Sequence, residues 1–200
     1  MTSPWAILPI KGFARAKSRL SPALSTHQRA DLARQLSLHV LDQLLGCADL
    51  HGVLVSTDSL DLLHLATSLG AHAIADPPDN PTLSTIIDAA LDHLTNTLDA
   101  SHALVFMADL PLLTTQDVSN LARLSLSADL VLAPDRAQQG TNALALPLPA
   151  PLKTCFGHPD SFPRHLQRAH ELHLSTFTLQ HPHLALDIDH PTDLHHWMST

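Results

Sequence analysis

Asp109 follows the apolar run of residues 103–107 after a single alanine and directly precedes Leu110-Pro111, where proline stops a strand from continuing. Lys11 holds the same kind of position after the apolar run 5–10, with Lys17 and Arg19 close behind it in Ala16-Lys17-Ser18-Arg19-Leu20. Two further carboxylates, Asp187 and Asp189, follow a third apolar run in Leu186-Asp187-Ile188-Asp189. In a parallel α/β sheet the strand C-termini open onto the ligand crevice. Carboxylates and cations gathered there suit a divalent metal bridging the phosphates of a nucleotide.

Each of these groups also has a plainer use. A lone acid after a strand is often a helix cap, but Thr114 is the better cap here, which leaves Asp109 free for a metal. Asp187 and Asp189 lie two apart on an extended stretch and so point the same way, with Ile188 opposite. One of them faces the crevice, or else the pair caps the following helix together with Asp193. Lys11, Lys17 and Arg19 could form a solvated face, although they match no amphipathic repeat. Neither G-x-x-x-x-G-K-[ST] nor G-x-G-x-x-G occurs in this region, so side-chain cations must do much of the phosphate binding.

A second anion site is suggested by Gly140-Thr141-Asn142 and by Phe156-Gly157-His158-Pro159-Asp160-Ser161-Phe162. Backbone N–H groups at Gly157 and at a helix start near Ser161 can cradle a phosphate, with Thr141 adding a hydroxyl. The alternative is a plain turn followed by a serine cap. His165, one turn into that helix, reads as a packed or surface histidine rather than a base. The pairs His181/His183 and His195/His196 read as surface histidines rather than metal ligands, since they lack evident supporting carboxylates.

These groups need a scaffold, and 200 residues with 44% hydrophobic and 15% charged content fit one globular domain with a genuine core. A net charge of −8 argues against nucleic acid or an anionic membrane as partner. An anionic substrate would instead use the local cations Lys11, Arg15, Lys17 and Arg19. The two cysteines, Cys47 and Cys155, match no metal-ligand spacing and suit reduced thiols. No apolar run reaches membrane-spanning length and none follows a basic leader, so the expected location is the cytoplasm.

Strands are predicted at 5–10, 53–55, 72–75, 103–107 and 129–133. They alternate with helices that start near Ser25, Asp58 or Ser59, Ser84 and Thr114. That rhythm predicts an α/β fold, a mostly parallel sheet covered by helices on both faces. It then changes: 142–148 is strand-like, 160–169 helical, and 174–179 alternates like an edge or hairpin strand. Residues 1–200 are therefore read as one domain in which 140–182 form the substrate-side portion.

Taken in order, several segments carry a family resemblance. They are Pro9-x-Lys11 with Ala16 to Leu20, Asp109-Leu110-Pro111-Leu112, Ala133-Pro134-Asp135-Arg136 with Gly140-Thr141-Asn142-Ala143-Leu144, Phe156-Gly157 with Ser161-Phe162 and His165, and Leu186-Asp187-Ile188-Asp189 with Pro191 and Asp193-Leu194. The set resembles the 2-phospho-L-lactate guanylyltransferase family of coenzyme F-420 biosynthesis. The resemblance implies a nucleotidyltransferase-type Rossmann-like fold and transfer of GMP from GTP to a three-carbon phosphorylated acid, with release of pyrophosphate. It also implies Mg²⁺ held by Asp109, Asp187 and Asp189, and an acceptor held by Thr141, Gly157 and Ser161.

On this reading Lys11, Lys17 and Arg19 neutralise the triphosphate beside Asp109. Asp58 or Asp76 accepts from the guanine edge, and Ser84 belongs to the nucleotide wall. The family's usual Gly-Leu-Asn is replaced by Pro81-Thr82-Leu83-Ser84-Thr85, which removes an amide from the wall. Acceptor choice is thereby put in question, with 3-phospho-D-glycerate favoured over 2-phospho-L-lactate and phosphoenolpyruvate. A sugar-phosphate or molybdenum-cofactor nucleotidyltransferase, or a non-catalytic nucleotide-binding module, is the alternative, and a homodimer is left open.

Overall fold

Alternate residues of the same strand feed two different cores. Trp5 and Ile7 of β1 (Trp5–Pro9) point to one face of the sheet, and Ala6 and Leu8 to the other. A strand buried on both sides must be apolar at every position, which is why these runs do not alternate with polar residues. The computed structural model describes residues 3–199, apart from the Arg15 side chain.

The remaining strands are β2 (Gly52–Thr57), β3 (His72–Ala75), β4 (His102–Phe106), β5 (Leu130–Pro134), β6 (Thr141–Pro147) and β7 (Thr176–Thr178). They form one sheet in the order β3-β2-β1-β4-β6-β5-β7. β1 pairs in parallel with β2 and β4, and β3 in parallel with β2. β6 runs antiparallel to both β4 and β5. The change of rhythm in the sequence is this reversed strand. Residues 174–179 make no hairpin, because β7 is an edge strand parallel to β5.

The helices are α1 (Thr26–Leu45), α2 (Leu60–Ser68), α3 (Leu83–Thr97), α4 (Thr115–Leu124), α5 (Ser161–Glu171), α6 (Pro182–Ala185) and α7 (Pro191–Met198). Val40, Leu44, Leu62 and Val118 cover one face, from α1, α2 and α4. Ile87, Leu91, Leu94 and Phe162 cover the other, from α3 and α5. The sequence places the α1 and α4 starts correctly: Ser25 with Gln28, and Thr114 with Asp117, close reciprocal capping boxes. It also places the start of α5 at Ser161, with Asp160 and not a serine in the cap position.

A third, smaller core matters most for the site. Leu20, Leu32, Leu36, Leu186 and Ile188 pack together, with Leu112, Leu194 and Trp197 against them. Ile188 and Leu20 are fully buried, and each contributes roughly 2 kcal/mol by leaving water. That packing draws the 3-10 turn Ser18–Leu20 against the segment bearing Asp187 and Asp189.

Candidate functional site

Parallel pairing brings the residues after β1, β2, β3 and β4 to one edge of the sheet, so Lys11, Asp58, Asp76 and Asp109 share it. The antiparallel β6 brings its first residues, Thr141 and Asn142, to the same edge. Asp187 and Asp189 arrive from outside the sheet, with Ile188 anchored beneath them. One oxygen from each of Asp109, Asp187 and Asp189 lies within 4.8 Å of the others. Asp109 and the pair Asp187/Asp189, nearly eighty positions apart in sequence, therefore converge. The pair does not cap α7, because that task falls to Asp193, whose carboxylate accepts from His190 N (2.7 Å).

Lys17 lies among these acids. Its backbone is left-handed (φ 52°), which turns the side chain inward, and its ammonium donates to Asp109 and to Asp189 (3.1 Å). Arg19 donates to the other oxygen of Asp189 (2.9 Å). Burial disfavours the Lys17 charge, yet the two carboxylates hold its pKa above the ordinary value. Burial likewise opposes charge on Asp189, and Lys17 and Arg19 overcome it, holding its pKa low.

Among the described residues no cation pairs with Asp187, and the side chain that donates to it is Asn142, through Nδ2 (3.3 Å). Burial, reinforced by Asp109, pushes its pKa up to about 6. A half-buried carboxylate facing like charges is what an all-oxygen metal site looks like when only its protein ligands are counted. The donor set therefore fits a hard divalent cation. Both members of the Asp187/Asp189 pair face the crevice, but their partners differ.

Three cavities run along this edge. The first, about 310 Å³, is lined by the three acids together with Thr141, Gly157 and Ser161. The second, about 250 Å³, is lined by Lys11, Asp58, Asp76 and Asn80. The third, about 230 Å³, joins them, sharing Asp109 with the first and Lys11 with the second, and Lys17 also lines it. Asp58 Oδ1 accepts from Gly12 N (2.7 Å) and so also shapes the loop after β1. Asp76 accepts from Ser56 Oγ (2.7 Å), and burial raises its pKa. Ser84 lines none of these cavities; its hydroxyl donates to the Phe156 carbonyl (2.6 Å) and ties α3 to the Gly157 loop.

The expected N–H cradle at the start of α5 is occupied by the protein itself. Ser161 N donates to His158 O, Phe162 N to Gln139 O and Arg164 N to Asp160 O, while Pro163 has no N–H. Ser161 instead uses its hydroxyl, which accepts from Thr141 N (2.9 Å). Gly157 is required as a glycine: its φ is +86°, and a Cβ there would lie 3.2 Å from Leu83 Cβ. His165 is fully buried, with Nε2 accepting from Cys155 N (2.8 Å) and Nδ1 facing Thr141 Oγ1 (3.0 Å). Burial, aided by Arg168, lowers its pKa to about 4. It is a packed histidine, and a neutral one, that ties the start of β6 to the Cys155–Gly157 loop.

Asn142, read along the chain only as part of a possible anion site, and Leu83, given no role there, both contribute. Asn142 is buried and bridges Leu184 O (2.9 Å) to Asp187, so it orients the acid that lacks a cation. Leu83 forms the wall between the first and third cavities. Asn142 had one visible sign, a polar residue at the mouth of an otherwise apolar strand. His181 and His183 are the other surprise: both approach Asp117, a buried carboxylate far away in sequence, whereas His195 and His196 are exposed as expected.

The architecture recurs in solved proteins. A nucleotidyl transferase from Methanothermobacter thermautotrophicus superposes with a TM-score of 0.66 at 13% identity, covering 100% of this chain and 97% of that one. A Mycobacterium tuberculosis protein solved in complex with manganese superposes with a TM-score of 0.58 at 12% identity, covering 100% of both chains. Sequence relatives are nearer. The phosphoenolpyruvate guanylyltransferase of Chloroflexus aggregans is 38% identical over 187 residues, 91% of this chain and 90% of that protein. The 3-phospho-D-glycerate guanylyltransferase of Phenylobacterium zucineum is 34% identical (94% and 86% covered). The 2-phospho-L-lactate guanylyltransferase of Methanothermobacter thermautotrophicus is 33% identical (94% and 81% covered). The family model described as guanylyl transferase CofC-like matches residues 5–199, which include all of the acids and cations assembled above. The chain thus belongs to the CofC-like guanylyl transferase family and is a guanylyltransferase.

Proposed function

We propose that the protein transfers GMP from GTP to a three-carbon phosphorylated acid, releasing pyrophosphate, as a step of coenzyme F-420 biosynthesis. The carrying observation is the sharing of lining residues: Asp109 belongs to both the first and third cavities, and Lys11 to both the second and third. A nucleotide lying along this edge would have its base near Asp58 and Asp76, its phosphates near Lys11 and Lys17, and its α-phosphorus near Asp109. The acceptor would occupy the first cavity, within the substrate-side portion 140–182, against Thr141, Gly157 and Ser161.

In the reaction an acceptor phosphate oxygen bonds to the α-phosphorus of GTP, and the bond from that phosphorus to the pyrophosphate oxygen breaks. The attacking oxygen is already anionic, so no side chain has to remove a proton. Repulsion between two polyanions is the main barrier, and the chain answers it with positioned charge. Lys11, Lys17 and Arg19 offset phosphate charge. Asp109, Asp187 and Asp189 would hold Mg²⁺, which supplies charge neutralisation at the phosphates when bound. Asn142 keeps Asp187 aimed at the crevice. His165, held neutral by burial, keeps Thr141 and the Cys155–Gly157 loop in place without adding charge. Asp58 and Asp76 offer carboxylate oxygens to the N1–H and amino group of guanine, a pattern that cytosine and uracil do not present.

Pyrophosphate release from GTP, measured separately with 3-phospho-D-glycerate, phosphoenolpyruvate and 2-phospho-L-lactate, tests the reading and assigns the acceptor. Turnover with at least one of them, and a preference for GTP over CTP and UTP, is expected. Turnover only with a sugar phosphate, or nucleotide binding without turnover, would overturn it.

A further inference from the structure

Asp117 is an ionised side chain in an unusual place. It is 5% exposed, and no lysine or arginine pairs with it among the described residues. Its Oδ2 accepts from Thr114 N (2.9 Å) and Thr114 Oγ1 (2.6 Å) at the start of α4. Two histidines complete its surroundings. His183 Nδ1, on α6, is 2.9 Å from Oδ2, and His181 Nδ1, just before α6, is 3.4 Å from Oδ1. The two rings meet edge to face with centroids 5.0 Å apart. His181 Nδ1 is itself a buried atom without a hydrogen-bond partner. A buried polar atom left unpaired normally has a missing partner.

The donor set says what that partner is. Two imidazole nitrogens and one carboxylate oxygen lie with their ligand atoms within 4.8 Å of one another. Nitrogen-rich sets select borderline transition metals over magnesium. With metal–ligand distances of about 2.0–2.1 Å, neighbouring ligand atoms of a tetrahedral site stand roughly 3.3 Å apart. His183 Nδ1 stands 2.9 Å from Oδ2 and His181 Nδ1 3.4 Å from Oδ1, and with all three ligand atoms within 4.8 Å of one another a modest closing-in of the side chains around one carboxylate oxygen reaches that spacing. Both histidine side chains are partly exposed, at 35% and 41%, so a fourth position can be filled by water.

We propose that Asp117, His181 and His183 bind a divalent transition-metal cation of the zinc type, at a site separate from the Asp109–Asp187–Asp189 cluster. Both imidazoles bind as neutral rings through Nδ1; the proton that His183 shares with Asp117 moves to Nε2, so a neutral ring releases none. The ion would pin α6 to the first turn of α4. α6 leads directly into Leu186 and Asp187, and Leu184 O is already held by Asn142. The site is therefore a staple that positions the segment carrying Asp187, not a participant in the reaction.

The test is calorimetric titration of the chelator-stripped protein with Zn²⁺ in millimolar Mg²⁺, which keeps the acidic cluster occupied. Co²⁺ is used in parallel for its tetrahedral absorption spectrum. One Zn²⁺ site is expected, with a Zn²⁺-dependent rise in Tm. Affinity should fall at least about tenfold in His181→Gln and in His183→Gln. It should persist in Asp187→Asn and in the double variant His195→Gln/His196→Gln. The partly exposed positions of His181 and His183 keep those variants folded, as circular dichroism would verify. Absence of Zn²⁺ binding in Mg²⁺, or binding that survives both His181→Gln and His183→Gln, overturns the site. Loss in Asp187→Asn alone would move the ion to the acidic cluster and equally refute the proposal.

Discussion

Replacing Asp187 by Asn isolates the electrostatic cost of gathering three acids around one cation-poor point. Burial and then Asp109 raise the Asp187 pKa from its ordinary 3.8 to about 6, and each unit corresponds to about 1.4 kcal/mol. A raised folded-state pKa contributes stability that is fully present below the unfolded value and is lost as pH rises through the folded one. In metal-free buffer at pH 7.5 the ionised carboxylate should therefore cost about 3 kcal/mol, a cost that the neutral amide escapes. Asparagine keeps an oxygen for Asn142 Nδ2, so the hydrogen bond survives. For a chain of this size a gain of about 3 kcal/mol corresponds to a rise in Tm of roughly 6–12 °C. The gap should shrink to roughly half by pH 5, where the folded wild type is mostly protonated. Millimolar Mg²⁺ should narrow it from the other side by stabilising wild type and not the variant. Turnover should meanwhile fall by about a hundredfold or more. Calorimetry in EDTA at pH 7.5 and pH 5, repeated with Mg²⁺, reads all of this. A folded variant no more stable than wild type in EDTA at pH 7.5 would refute the reasoning.

Other outcomes follow from neighbouring groups. Asp109→Asn should fold normally and lose about a hundredfold in turnover or more, and near-normal rates at saturating Mg²⁺ would remove it from the metal site. Lys17→Ala should weaken GTP use, most at low ionic strength where charge is unscreened; steady-state kinetics against GTP in low and high salt will read this. Gly157→Val places a branched side chain at positive φ against Leu83, so acceptor KM should rise strongly while GTP affinity, titrated without acceptor, stays near wild type. His165 has its pKa lowered to about 4 by burial, so its contribution is present above the ordinary 6.5 and is lost as pH falls through 4. Denaturant titrations from pH 7 to pH 4 should lose about 3 kcal/mol more in wild type than in His165→Gln, compared with each protein's own stability at pH 7.

The alternating strands and helices, the caps at Ser25 and Thr114, and the positions of Asp109, Asp187 and Asp189 were legible along the chain. All of them depend on local chemistry: burial on both strand faces, side chains that bond nearby backbone, and acids that interrupt apolar runs. The start of α5 at Ser161 was legible too, but not that its hydroxyl is taken by Thr141 N and that first N–H groups of α5 bond other parts of the chain. The partner of Ser84 was not legible either, since only the packing of α3 against the Phe156 loop reveals it. His181 and His183 are partly exposed, as surface histidines would be, but their partner Asp117 was not legible because it lies 64 and 66 positions away. Sequence determined which residues carry charge and which stretches must be buried. Tertiary structure alone decided which charges share a site, because the core of Leu20, Leu186 and Ile188 sets Lys17 among the acids, where it pairs with Asp109 and Asp189 while Asp187 is met by the Asn142 amide.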